Sequence, residues 1–125
     1  MGSDLKVGIG AWLGSSSLTA ATIIEQVAKA EALGFHSFWL PESHFSSANN
    51  VPAPLLLLAV AAAQTKTLLL GTGSYLLPIR NPIQMAEEIA VLDQLSSGRV
   101  ILGVGRGYQR QLFSAYGTQP NNKRK

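Results

Sequence analysis

The side chains of this chain that are able to do chemistry cluster in four short stretches, residues 11–12, 42–45, 73–77 and 105–108, each directly after an apolar run. His44 leads them. An imidazole, with an unperturbed pKa of about 6.5, gains and loses protons near neutrality and suits acid–base work. Its other reading is a loop histidine that orders Glu42 or a backbone carbonyl. Arg106 stands between Gly105 and Gly107, where a guanidinium can grip a phosphate through charge-assisted hydrogen bonds. Its other reading is an ion pair with Glu42 or another acid. Gly73-Ser74 puts a glycine inside an apolar run, the mark of a bulge or of a close approach by a ligand. Trp12, Phe45 and Tyr108 are candidate linings of a substrate pocket, and core or loop packing explains them equally well. There is no cysteine, which removes thiolate catalysis, disulfides and the usual zinc sites, so no metal is expected.

What positions these groups is a repeat of type. A short β-like run followed by a helical segment recurs four times, starting near Lys6, Ser37, Leu68 and Val100, a spacing of about 31 residues that suits a strand plus a crossover helix. The strands are expected over residues 5–12, 37–40, 67–75 and 100–104. The first helix takes its N-cap from Ser17 or Thr19, carries Ile23, Val27 and Ala30 on one face and stops at Gly34. The second, residues 55–64, is apolar on nearly all faces and needs cover on both sides, one of which is assigned to a partner subunit. The third opens at Pro82 and carries Met85, Ile89 and Leu92; a short fourth is expected over residues 111–116. Such alternation implies a parallel sheet with right-handed crossovers. Two architectures satisfy it: half of a β/α barrel, or a small doubly wound flavodoxin-type sandwich. In both, ligands bind at the carboxyl ends of the strands, where the four reactive stretches lie.

Composition narrows the function classes. An apolar content of 46% suffices for a core, and residues 1–125 read as a single domain. The net charge of +3 comes entirely from Lys123, Arg124 and Lys125; the other seven basic residues are matched by seven acidic ones. No basic face interleaved with aromatics appears, so nucleic acid is not an expected partner. Residues 1–4 lack the basic and apolar parts of a secretory leader, and the longest apolar block, residues 55–63, is far short of the roughly 20 residues needed to span a bilayer. A cytoplasmic protein without membrane contact is the expectation.

At the strand ends the sequence resembles the luciferase-like flavin monooxygenases. Four stretches carry the likeness: Ala30-Glu31-Ala32-Leu33-Gly34-Phe35 leading into Trp39-Leu40-Pro41-Glu42-Ser43-His44-Phe45; Gly71-Thr72-Gly73-Ser74 through Pro78, Asn81 and Pro82; Leu92-Asp93-Gln94-Leu95-Ser96-Ser97-Gly98-Arg99; and Gly103-Val104-Gly105-Arg106-Gly107 followed by Phe113, Tyr116-Gly117 and Asn121-Asn122-Lys123-Arg124. Each is weak alone; together they cover essentially the whole chain in order.

The resemblance implies an α/β fold of parallel β/α units, four of the eight of a TIM-type (β/α)8 barrel, cut at the C-terminal side. It implies FMN as cofactor, with a small organic substrate and molecular oxygen as reactants. His44 matches the second of a histidine pair that the family commonly places after its second strand; Ser43 stands at the first, which puts luciferase-type base chemistry in doubt. Gly73-Ser74 matches a family site for a non-prolyl cis peptide behind the flavin. Arg106 and Arg124 fall to the flavin phosphate side, and Tyr108 joins the cofactor-binding set. Asp93 and Arg99 are read as structural. The alternatives are a deazaflavin-dependent dehydrogenase of the same superfamily and a non-catalytic half-barrel that serves assembly. A half-barrel exposes two sheet edges, so a homo-oligomer is expected.

Overall fold

A computed structural model describes residues 5–12, 18–45 and 50–119. Its elements are β1 (Gly8–Gly10), α1 (Ala20–Ala32), β2 (Ser37–Leu40), α2 (Pro54–Gln64), β3 (Leu69–Leu76), a 3-10 turn (Leu77–Ile79), α3 (Pro82–Ser96), β4 (Val100–Gly105) and α4 (Arg110–Ala115). All strand pairs are parallel, and the order in space is the order in the chain, β1-β2-β3-β4. This order decides between the two expected architectures. A flavodoxin-type sheet reverses direction and seats its first strand between the second and third, whereas a barrel always steps one place the same way. The chain is four consecutive β/α units of the barrel kind.

Local chemistry sets the element ends. Thr19 is the N-cap of α1, and it exchanges hydrogen bonds with Thr22: Thr22 N donates to Thr19 Oγ1 at 3.3 Å and Thr19 N to Thr22 Oγ1 at 2.8 Å. The other candidate cap, Ser17, lies outside the described residues. Ile23, Val27 and Ala30 are buried, and Gly34 takes the left-handed conformation at φ 77° that ends the segment. Asn81 caps α3 by accepting from Ile83 N at 2.9 Å, with Pro82 at the first helical position. On α3, Leu92 is buried while Met85 and Ile89 are partly buried against the core.

The core lies between these helices and the sheet: Ile23, Val27, Phe38, Leu40, Leu58, Leu68 and Leu70 are all within 1% of full burial. Each such aliphatic or aromatic side chain contributes about 1.5–3 kcal/mol. The other face of the sheet is built differently. Trp39 packs against glycines of its neighbours: a Cβ on Gly71 would come within 2.4 Å of its indole, and one on Gly8 within 2.8 Å. Its Nε1 donates to Ser37 Oγ at 2.8 Å, which satisfies the ring's polar atom.

The first and third strands differ most from the sequence expectation, and β1 begins only at Gly8. The β1 ladder ends at Gly10 because the Gln26 side chain takes over: Trp12 N donates to its Oε1 at 3.2 Å and its Nε2 donates to Trp12 O at 2.9 Å. The third strand starts later and runs to Leu76, bent by a bulge described below. No helix among the described residues is long and apolar enough to cross a membrane.

Candidate functional site

The carboxyl ends of β2, β3 and β4 converge on one cleft of about 260 Å³. His44, Gly73, Ser74, Arg106 and Tyr108 all line it, together with Glu42 and Leu112. Five of the six residues nominated from sequence therefore share a rim. The sixth, Arg124, lies outside the described residues.

The wall of the cleft is a β-bulge. Thr72 pairs with Leu102 and Tyr75 with Val104, so three steps on β3 face two on β4, and the extra residue falls at Gly73–Ser74. The peptide between those two residues is cis, where the resemblance put it. Thr72 holds the gap: its hydroxyl donates to Gly103 O at 2.9 Å and accepts from Gly103 N at 3.1 Å, in place of the lost ladder bonds. Gly105 completes the wall, because a Cβ there would sit 2.2 Å from Ser74 Oγ.

Behind the wall lies a buried charged cluster. The Glu42 side chain is fully buried and that of His44 is 4% exposed. Glu42 Oε1 meets His44 Nε2 at 2.7 Å and accepts from Arg80 Nη2 at 2.7 Å; Oε2 accepts from Leu76 N at 2.7 Å and Arg80 Nη1 at 3.2 Å. Arg80 also donates to Leu76 O at 2.8 Å and lies over the Tyr75 ring, 3.8 Å from its centroid. Burial pushes the Tyr75 phenol above its ordinary range, against the opposing charge of Arg80. On the far side of His44, Tyr116 packs edge-on, ring centroids 5.6 Å apart, with its hydroxyl 3.5 Å from Nδ1.

One of the two readings of Arg106, an ion pair with Glu42, is not what the structure shows. The arginine that pairs with Glu42 is Arg80, held by the 3-10 turn after β3, and not Arg106. Arg106 is exposed at the cleft and has no ion-pair partner among the described residues. That leaves its guanidinium free for a ligand. Tyr108 is 86% exposed, so it stands at the mouth of the cleft. Phe45, with φ 54°, is half exposed beside His44, 6.0 Å between ring centroids. Trp12 is absent from the residues lining the cleft. Sequence reasoning missed Arg80 and the contact of Tyr116 with His44. Arg80 follows a strand end, so the strand-end rule applied to residues 77–81 contained the signal.

Comparison with known proteins gives the family and the fold. The profile of the luciferase-like monooxygenases matches residues 1–125. The alkanal monooxygenase alpha chain of Photorhabdus luminescens is 37% identical over 95 residues, covering 76% of this chain and 26% of that protein. The oxygenating constituent of the 3,6-diketocamphane monooxygenase of Pseudomonas putida, solved in complex with FMN, superposes with a TM-score of 0.80 at 29% identity, over 90% of this chain and 32% of that one. The coenzyme F420 dependent tetrahydromethanopterin reductase of Methanopyrus kandleri superposes at 0.71 and 30% identity, over 92% and 30% respectively. The chain spans about a quarter to a third of the length of these relatives. It belongs to the luciferase-like monooxygenase family.

Proposed function

We propose that this member of the luciferase-like monooxygenases supplies one wall of an FMN site that serves oxygenation of a small organic substrate. The observation that carries the reading is the cleft in which Arg106, without an ion-pair partner among the described residues, meets a glycine-and-serine bulge and a buried histidine. The residues fit a flavin. Gly73, Ser74 and Gly105 offer a surface low enough for a planar ring, and Arg106 offers a cation for a phosphate or a polar ring edge. Bound and reduced, the flavin supplies the two electrons that the reaction with oxygen requires. His44 holds or moves a proton at the cleft wall, Glu42 orients its ring, and Tyr108 shields the mouth. Ser43 replaces a histidine common in the family, so His44 carries the proton chemistry on this loop alone.

A cleft of about 260 Å³ is below the roughly 300–1,000 Å³ of pockets that enclose a cofactor-sized ligand. The 125-residue chain by itself is therefore expected to bind FMN more weakly than about 1 µM and to show no turnover. Quenching of flavin fluorescence during titration measures this. Arg106→Ala should weaken whatever binding remains by about tenfold, equivalent to about 1.4 kcal/mol. Sub-micromolar binding would show that this wall suffices by itself, against the expectation from the cleft's size, and binding indifferent to Arg106 would overturn the reading. A second reading, a deazaflavin-dependent dehydrogenase, is favoured by the likeness to the methanopterin reductase; a parallel titration with the deazaflavin coenzyme separates the two.

A further inference from the structure

His44 is the one imidazole of the cleft wall, and its surroundings leave it a single route for changing protonation. A carboxylate has about four lone-pair sites. Those of Glu42 are taken by Arg80 Nη2 and His44 Nε2 on Oε1, and by Leu76 N and Arg80 Nη1 on Oε2. Neither oxygen has room for a proton of its own, so each acts as acceptor only. Nε2 must then carry a hydrogen whether the ring is neutral or charged, and protons enter and leave at Nδ1. The atom facing Nδ1 is the Tyr116 hydroxyl, at 3.5 Å. His44 is buried while Tyr116, just past the end of α4, is 46% exposed. The phenol therefore stands between the buried nitrogen and water. Phe45, which carries no charge, also packs beside the ring, and Arg106 lines the same cleft.

We propose that Arg80, acting through Glu42, fixes His44 as the Nε2–H tautomer, and that the Tyr116 hydroxyl relays protons to and from Nδ1. On uptake, Tyr116 passes its hydrogen to Nδ1 while its oxygen takes one from hydronium; one proton moves inward and the phenol is restored. Release runs the same steps backwards. The use of that proton in catalysis rests on the function proposed above, whereas the tautomer and the relay do not.

Nitrogen-15 NMR of histidine-labelled full chain tests the proposal without any cofactor, and so separately from the FMN titration. The chain has two histidines, and His36 is the internal reference. With the rings neutral, His44 should show a protonated Nε2 and a bare Nδ1. Arg80→Lys should retain that pattern, and Arg80→Met should raise the opposite tautomer several-fold. Tyr116→Phe keeps the packing; it should leave the tautomer alone and slow exchange of the charged ring's Nδ1 proton with water several-fold. A bare Nε2 in the unaltered chain, or unchanged exchange in Tyr116→Phe, overturns the proposal; neither measurement needs the methionine variant to fold. An unaltered tautomer in folded Arg80→Met removes Arg80 from it.

Discussion

Glu42 is the residue on which the site turns, and its energetics are lopsided. A buried ion pair contributes little over an apolar replacement, yet removing one partner leaves an uncompensated charge and costs about 3–5 kcal/mol. Glu42→Gln should therefore destabilise the chain by about 3 kcal/mol, since it strands Arg80 beside Tyr75 and weakens the bond from Leu76 N. Arg80→Met should cost a similar amount, and the double variant less than the sum; urea denaturation of all four forms reads the coupling directly. Much of this residue-scale picture was legible in advance. Glu42, His44, Ser74 and Arg106 stand at strand ends, and the rule that parallel strands deliver chemistry there needs only the pattern of apolar runs. The identity of Glu42's partner was not legible. Arg80 lies 38 residues along the chain, and which of two arginines reaches the carboxylate depends on a turn of three residues and on the bulge that re-aims β3.

At the scale of elements, the opposite ends of the strands hold the units in register. Glu31, in the last turn of α1, clasps the link between α2 and β3. It accepts from Lys66 N at 2.9 Å, Thr67 N at 2.7 Å, Leu68 N at 3.0 Å and the Thr67 hydroxyl at 3.0 Å. Burial alone would raise its carboxyl, but the hydrogen bonds from Thr67, Lys66 and Leu68 outweigh it and bring the pKa from 4.5 down to about 2. A carboxyl with a depressed folded-state pKa contributes stability that is complete above 4.5 and is lost as the pH falls toward about 2. Across that window Glu31→Gln should show a shallower loss of stability than the parent chain, followed by urea midpoints at each pH. Arg99 does the matching work between α2, β3 and α3. It donates to Ala62 O and Thr65 O at 3.0 Å, to Leu68 O at 2.9 Å and to Ser96 O at 2.6 Å. Arg99→Met should cost about 3 kcal/mol by leaving helix-end carbonyls without donors. The structural reading of Arg99 came from its place at the amino-terminal side of the strands. The contribution of Asp93 is its backbone oxygen, which accepts from Gly98 N at 2.9 Å. The early end of β1 had no local signal, because the side chain that replaces its ladder belongs to Gln26, a helix away.

The whole molecule leaves apolar surface that these contacts do not cover. Among the described residues β1 and β4 are edge strands, each with one unpaired row of backbone donors and acceptors. On the helical side, α2 and α3 border a groove of about 640 Å³ lined by Leu55, Leu56, Ala59, Met85, Val91 and Leu95. Leu56 is 71% exposed, which answers the expectation that α2 is too apolar to be covered by its own sheet alone. Apolar patches of this extent are seldom left to water. The 125-residue chain is therefore expected to self-associate as its concentration rises, and light scattering or sedimentation measures it. The two surfaces give different answers to substitution. Leu56→Glu with Leu95→Glu places charges in the groove without touching the core, and should return the chain toward monomer if the helical face mediates contact. If the open strands mediate it, that pair changes nothing, while a proline in β4 at Val104, on the unpaired edge, lowers association instead. A chain that stays monomeric at high concentration without any substitution contradicts both routes and requires the exposed leucines to be stable in water.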